Sequence, residues 1–149
     1  MLKGAFIEKQ FQYKGHDCIC VFNRDGFRRG YVSVKRLIAF GKLDIECHGG
    51  LNFEGILSEA YMPRELYYVG FDCGHICDGR DFELAYQRGM ITEIERDFSI
   101  GAFEYLSENP VRSLEYVENE CKKIVDQLEN LERKLGEVKN ENVKNQCSG

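Results

Sequence analysis

The sequence lacks long hydrophobic runs and an excess of basic charge. No stretch of about 18 consecutive apolar residues occurs, so no segment is predicted to span a membrane. The first residues lack the apolar core of a secretion signal. The chain has 20 basic and 25 acidic side chains, and the resulting formal charge of -5 argues against nonspecific binding to nucleic acid. We therefore expect a protein of the cytoplasm that contacts neither membranes nor nucleic acid directly.

Several motifs of catalysis and cofactor binding are also absent. The chain has no glycine-rich phosphate loop, no HExxH helix and no pair of CxxC motifs. Its seven cysteines are an odd number, and without a secretion signal a disulfide framework explains them less well than buried thiols or metal ligands. A hydrophobic content of 43% with 30% charged residues is that of a folded domain and not of a disordered chain.

Alternation of apolar and polar residues predicts a small, mostly antiparallel sheet over residues 4–72. Strands are expected within residues 4–35, at Leu43–Cys47 and at Leu66–Phe71. The first turn is expected at Lys14-Gly15-His16-Asp17. Short helices with an acidic face are expected next, and then a long helix. The predicted fold class is therefore α+β. The chain divides into a β-rich metal-binding part, a helical connector, a C-terminal helix and a polar tail, at residues 1–80, 81–109, 110–140 and 141–149.

The C-terminal helix has a heptad pattern. Asn109 is its expected N-cap, and Pro110 suits its first turn. The pattern predicts a coiled-coil or homo-oligomer contact through residues 114–138. The alternative is that the helix packs on its own sheet, although such a helix usually has a wider apolar stripe. The residues of the seam recur at spacings of three and four: Leu114, Val117, Cys121, Ile124, Leu128, Leu131, Leu135 and Val138.

Two short segments concentrate side chains that ligate metals. Residues 47–50 follow one predicted strand, and residues 71–78 contain the end of another. Such positions bring donors from different strands together in short loops. One possible set of ligands supplies nitrogen and oxygen donors, which suit Zn²⁺ and tolerate Mn²⁺ or Fe²⁺. Its members are His48, Asp72, His75 and Asp78.

Cysteine ligands are the alternative at the same place. Cys73 is the reserve ligand, and a set in which Cys47, Cys73 or Cys77 joins the histidines would form a structural zinc centre. The competing interpretation is that the cysteines are core residues and that the two histidines are surface groups or hydrogen-bonded groups.

Four short motifs follow one another within residues 10–80. They are Tyr13-x-Gly15-x-x-Cys18, Gly30-Tyr31-Val32-x-Val34, Cys47-His48-Gly49-Gly50-Leu51-x-Phe53 and Val69-Gly70-Phe71-Asp72-Cys73-x-His75-x-x-Asp78. These motifs, in this order, resemble a family of small phage and prophage proteins. In that family threonine can replace Cys73, whereas the histidines and aspartates recur, so the resemblance favours the nitrogen and oxygen set. The family pattern has His-Pro after Gly-Tyr-Val, where this chain has Val34-Lys35-Arg36-Leu37.

In size, acidity and expected metal content the chain is also similar to zinc-containing phage inhibitors of Cas9. This second resemblance is one of class and not of motif. It implies a location in the host bacterial cytoplasm and a host defence protein, such as a CRISPR effector, as the partner. We therefore predict a zinc-binding anti-CRISPR protein that inhibits a host defence nuclease by stoichiometric protein binding.

Two other functions fit the sequence. In a metal-dependent hydrolase, an ion held by histidine and aspartate would lower the pKa of its bound water to about 7, with Glu46 or Asp44 as general base. The absence of a substrate-binding motif weighs against this alternative. The last hypothesis is a phage scaffold or a small virion component built on the coiled coil.

Overall fold

A five-stranded antiparallel sheet is the centre of the fold. The computed structural model describes residues 4–34, 44–57 and 66–147, and the side chains of the last helix as far as residue 137. Within these residues the strand order is β1-β2-β3-β5-β4, and every neighbouring pair is antiparallel. The strands are β1 (Ala5–Tyr13), β2 (His16–Asn23), β3 (Arg28–Val34), β4 (Phe53–Ile56) and β5 (Tyr67–Asp72).

Three α-helices and one 3₁₀ turn follow the sheet in the described chain, and together with it they confirm the α+β class. Side-chain caps fix where the first two helices begin, since Asp81 accepts a hydrogen bond from the Leu84 amide and Thr92 forms a capping box with Glu95. These short helices occupy the predicted connector. The elements are α1 (Phe82–Gln87), α2 (Glu93–Ala102), the 3₁₀ turn Glu104–Leu106 and α3 (Leu114–Cys147).

The first predicted turn, at residues 14–17, is a hairpin loop of only two residues. Lys14 and Gly15 have φ angles of 49° and 79°, in the left-handed region. Two successive residues of this kind match the twist of the flanking strands, which is why glycine suits the second position. His16 and Asp17, expected in the turn, already belong to β2.

Helix α3 packs across one face of the sheet. Its buried residues join those of β2, β3 and β5 in one core cluster. Gly30, in the middle of β3, makes this approach possible, since a Cβ there would collide with the Phe71 ring and the Cys121 sulfur. The residues of α3 that this core buries are Val117, Cys121, Ile124, Val125 and Leu128.

The coiled-coil prediction is therefore not confirmed. The first half of the heptad seam faces the sheet, as the alternative interpretation expected. Val125, outside the seam, widens the buried stripe. Farther along α3, Leu131 is half-buried and Leu135 is 57% exposed. A contact between copies would have only this later part of the seam to use.

The start of the C-terminal helix differs from the prediction. Helix α3 begins at Leu114, with the Ser113 hydroxyl accepting from the Tyr116 amide at 3.1 Å. Asn109 instead donates from its side chain to the Ile76 carbonyl at 2.8 Å, and the Pro110 carbonyl accepts from the Gly79 amide at 2.9 Å. These residues brace the loop after β5. At the other end the helix continues to Cys147, through most of the expected polar tail.

One predicted strand is wrong and one strand was not predicted. Residues 44–47 are not part of the sheet, and Leu43 lies outside the described residues. The side chain of Gln127 on α3 binds both the amide and the carbonyl of Glu46 at 2.7 Å, in place of a neighbouring strand. β4 is a short strand at the edge of the sheet, and its four residues are too few for an alternation of apolar and polar side chains to predict it. No helix among the described residues has the length and apolar character to cross a membrane.

Replacement of Leu128 and of Leu135 by alanine separates the two interpretations of α3. Leu128 is 1% exposed, and Leu128→Ala should lower the free energy of unfolding by about 3 kcal/mol because it leaves a cavity. Leu135→Ala should change it by less than about 0.5 kcal/mol. Urea unfolding measures both. A dimer that Leu135→Ala dissociates in sedimentation would instead support the coiled coil.

Candidate metal centre

The candidate site is built from one turn and one loop. Residues 47–50 form a tight turn in which the Gly50 amide donates to the Cys47 carbonyl at 2.9 Å. The loop at residues 73–79 leaves β5, and the Asp78 amide donates to the His75 carbonyl at 3.0 Å. The turn carries His48, and the loop carries Asp78. The two segments meet beside the first turn of α3.

Asp78 is the centre of the hydrogen-bond network at this site. Its side chain is fully buried, with 0% exposure. Oδ2 lies 2.8 Å from Nε2 of His48 and accepts from the His75 amide at 3.0 Å. Oδ1 accepts from Nε of Arg112 at 2.9 Å. Burial raises the pKa of the Asp78 carboxyl, but the hydrogen bonds from His48, Arg112 and the His75 amide together outweigh burial and hold this pKa below its ordinary value.

His48 is held at both ring nitrogens. Nδ1 lies 2.8 Å from the hydroxyl of Tyr116 on α3, and Nε2 contacts Asp78. The Tyr116 ring meets the imidazole edge to face, at 5.4 Å between centroids. These contacts fix the plane of the His48 ring and join the turn to the helix.

Three side chains at this point could hold a metal ion. One donor atom from each of His48, Cys77 and Asp78 lies within 4.8 Å of the others. Ligands at the usual zinc distances are roughly 3.3–3.8 Å apart, so Nε2 of His48 and Oδ2 of Asp78, which now lie 2.8 Å apart, would separate slightly to share an ion. Cys77, the third donor, is exposed. Nitrogen, sulfur and oxygen donors are a set that Zn²⁺ accepts, with a fourth position left for water or another ligand.

Two of the four predicted ligands, His48 and Asp78, therefore meet, whereas Asp72 and His75 lie outside the group. Successive side chains of a strand point to opposite faces, and Phe71 and Cys73 point into the core beneath α3. Asp72 consequently points away, where it accepts from the Asn52 side chain and from the Gly74 amide. The complete four-residue set stays a prediction.

His75 packs on the turn instead of joining the group. Its ring lies over Gly49, where an added Cβ would overlap the imidazole. The buried Nε2 has no hydrogen-bond partner among the described residues, and Oδ1 of Asp72 lies 3.5 Å away. The centroids of the two imidazole rings, His48 and His75, are 5.7 Å apart. Gly49 thus sets the distance between the turn and the loop.

The other cysteines near the site behave as core residues. Burial raises the pKa of Cys73 to about 12 and that of Cys47 to about 11. Neither thiol belongs to the group formed by His48, Cys77 and Asp78. Cys77, weighed with them in the thiolate alternative, is the cysteine whose sulfur reaches the group.

The third histidine has a structural role. His16 is 1% exposed, and its ring nitrogens lie 2.7 Å from the Ser33 carbonyl and 2.7 Å from Oε1 of Glu129 on α3. These contacts tie β2 to β3 and to the helix. His16 is therefore a hydrogen-bonded core histidine.

Two residues of the site, Arg112 and Tyr116, were not predicted. Arg112 is 34 residues from Asp78, and Tyr116 is 68 residues from His48. No local spacing in the sequence connects such distant pairs. Tyr116 lies beside the apolar heptad seam of α3 without being part of it, and its hydroxyl forms a hydrogen bond with His48.

Comparisons with protein-family models, with curated proteins and with solved structures found no match to this chain.

Alanine at the two glycines of the turn tests the packing of His75. Gly49 and Gly50 have φ angles of 68° and 79°, so alanine is strained at both, by about 1 kcal/mol. At Gly49 the new methyl group also overlaps His75, whereas at Gly50 nothing lies within 4 Å. We expect Gly49→Ala to lower the free energy of unfolding by about 2 kcal/mol more than Gly50→Ala in denaturant titrations. Equal losses would contradict the described contact.

Proposed function

We propose that this chain is a zinc-binding phage protein that inhibits a host defence nuclease, such as Cas9, by stoichiometric protein binding. The observation that carries the metal part is the group formed by His48, Cys77 and Asp78, with donors within 4.8 Å of one another. A mixed nitrogen, sulfur and oxygen set favours zinc over Mg²⁺ or Ca²⁺, which take oxygen ligands. The phage origin is supported by the motifs in residues 10–80, and the partner by the similarity of class.

A zinc ion at this site would have a structural role. It would connect the turn at residues 47–50 to the loop at residues 73–79, and through Arg112 the same loop is connected to the start of α3. The free energy of metal binding would then add to that of folding. Ligation would also immobilise Cys77, the exposed member of the group.

The hydrolase alternative receives less support from the geometry. Glu46 and Asp44, the expected general bases, are exposed, and in the described part of the chain no hydrogen bond links either side chain to His48. A general base must reach the proton that it removes.

The charge of the chain suits the proposed partner class. A nuclease that binds nucleic acid has a basic surface for its phosphates. A chain with a formal charge of -5 would be attracted to such a surface and would compete with nucleic acid there. Binding of this kind blocks a nuclease in proportion to the amount of inhibitor and needs no turnover.

Metal content distinguishes the described group from the set predicted from sequence. Elemental mass spectrometry of zinc-reconstituted protein should give about one zinc per chain. His48→Ala and Cys77→Ser should each weaken zinc binding by about tenfold or more, because each removes a donor of the group. His75→Ala should retain the ion, and so should Cys47→Ser, the matched cysteine control. Loss in His75→Ala with retention in Cys77→Ser would favour the predicted set, and an absence of zinc in the wild type would refute the metal proposal.

Titration into a Cas9–guide RNA complex tests the inhibitory function. DNA cleavage should fall to its background near an equimolar ratio, since each inhibitor would occupy one nuclease. Cys77→Ser should inhibit less at elevated temperature than Cys47→Ser, if zinc stabilises the binding conformation. Complete inhibition by a small fraction of an equivalent would instead indicate an enzyme. Unchanged cleavage at a large excess would contradict the proposal for this nuclease.

A further inference from the structure

Helix α2 turns its apolar side chains toward solvent. Ile94 and Phe98 lie one turn apart and are 82% and 76% exposed. Gly101 and Ala102, on the next turn of the same side, are exposed as well. The helix has no buried residue at all. We call the stripe formed by these four residues the outer face of α2.

The opposite, polar side of α2 faces the rest of the protein. Arg96 has a side chain that is only 19% exposed, and it contacts Glu83 of α1 at 3.4 Å. Its guanidinium carbon also lies 4.4 Å from the centre of the Tyr86 ring. Glu95 binds Arg24, in the turn after β2, at 2.6 Å. Polar contacts therefore fix the helix with its apolar stripe outward, the reverse of an ordinary surface helix.

The orientation of α2 does not depend on a partner. The capping box of Thr92 and Glu95 satisfies the amides at the start of the helix, and the contacts of Arg96 and Glu95 hold its inner side. An apolar stripe of this kind, presented by a helix that is already formed, is typical of a protein-binding surface. Contact with a partner would remove Ile94 and Phe98 from water, which favours binding.

The charge around the stripe selects the partner. Residues 93–108 contain five acidic side chains and one basic side chain, a net charge of 1 − 5 = −4, compared with -5 for the whole chain. Glu93 and Asp97, beside the stripe, share the single cation Arg96 and remain 68% and 64% exposed. A second copy would bring equal charges together, and anionic lipid headgroups would be repelled. A basic protein segment is complementary to this surface.

We propose that the outer face of α2 is the docking surface for a basic amphipathic helix of a partner protein, with apolar side chains flanked by lysine or arginine. This inference rests on the proposed function in that it supplies the surface for stoichiometric binding. The small residues Gly101 and Ala102 let the backbone of a second helix approach closely. Ile94 and Phe98 are the apolar anchors, and Asp97 provides charge at the rim.

A synthetic helical peptide with leucine on one side and lysine on the other is the probe. Calorimetry should detect its binding to the full chain, and Ile94→Ser and Phe98→Ser should each weaken that binding by about tenfold. Leu135→Ser is the matched control, since Leu135 is an exposed apolar residue of α3. A peptide with glutamate in place of lysine should not bind, and added salt should weaken the lysine peptide. The three variants should keep the unfolding midpoint of the wild type, because all three side chains are exposed.

Several results would overturn this inference. Equal peptide binding by the wild type and Phe98→Ser would show that the outer face is not used. A dimer in sedimentation that Phe98→Ser dissociates would indicate a second copy, and binding to phosphatidylserine vesicles that Phe98→Ser abolishes would indicate a membrane.

The Cas9 titration separates this inference from the proposed function. If the wild type and Phe98→Ser inhibit equally, the docking surface fails and the inhibitory function stands. If the peptide binds as expected without inhibition of Cas9, the surface stands and the nuclease assignment fails.

Discussion

The buried carboxylate of Asp78 holds together three parts of the chain that are distant in sequence. His48 comes from the turn at residues 47–50, the His75 amide from the loop after β5, and Arg112 from the segment before α3. A buried charge is tolerated only with such compensation, and the loss of one donor leaves the rest of the network under-satisfied. The candidate metal group, the packing of His75 on Gly49 and the braced loop all depend on this arrangement.

The packing of α3 on the sheet is the second constraint. Gly30 on β3 leaves room for Cys121, and the polar edge of the helix then supplies side chains to its surroundings: Tyr116 to His48, Gln127 to Glu46 and Glu129 to His16. The helix is thus both the cover of the core and the support of the site. Over the first half of the helix the heptad residues contact the sheet, because an apolar stripe with this spacing can pack against a sheet as well as against another helix.

The sequence predicted what depends on neighbouring residues. Alternation and turn residues located three strands and β5, and the concentration of donor side chains in two short segments identified His48 and Asp78 as candidate ligands, although the strand expected before His48 is absent. Asp72 and His75 were predicted as ligands together with His48 and Asp78, because the spacing of residues in a sequence does not show in which direction a loop side chain points. Arg112 and Tyr116 depend on contacts across the fold. The acidic character of residues 81–109 was visible, but periodicity alone does not tell which side of α2 faces the protein.

The outward position of Ile94 and Phe98 also has an evolutionary consequence. Side chains that contribute nothing to the core can change without loss of folding, whereas Arg96 and Glu95 on the inner side must preserve the placement of α2. Selection by a changing partner would therefore act on the outer residues independently of the fold. A lineage of such proteins would show rapid substitution on one side of a single helix and restraint on the other.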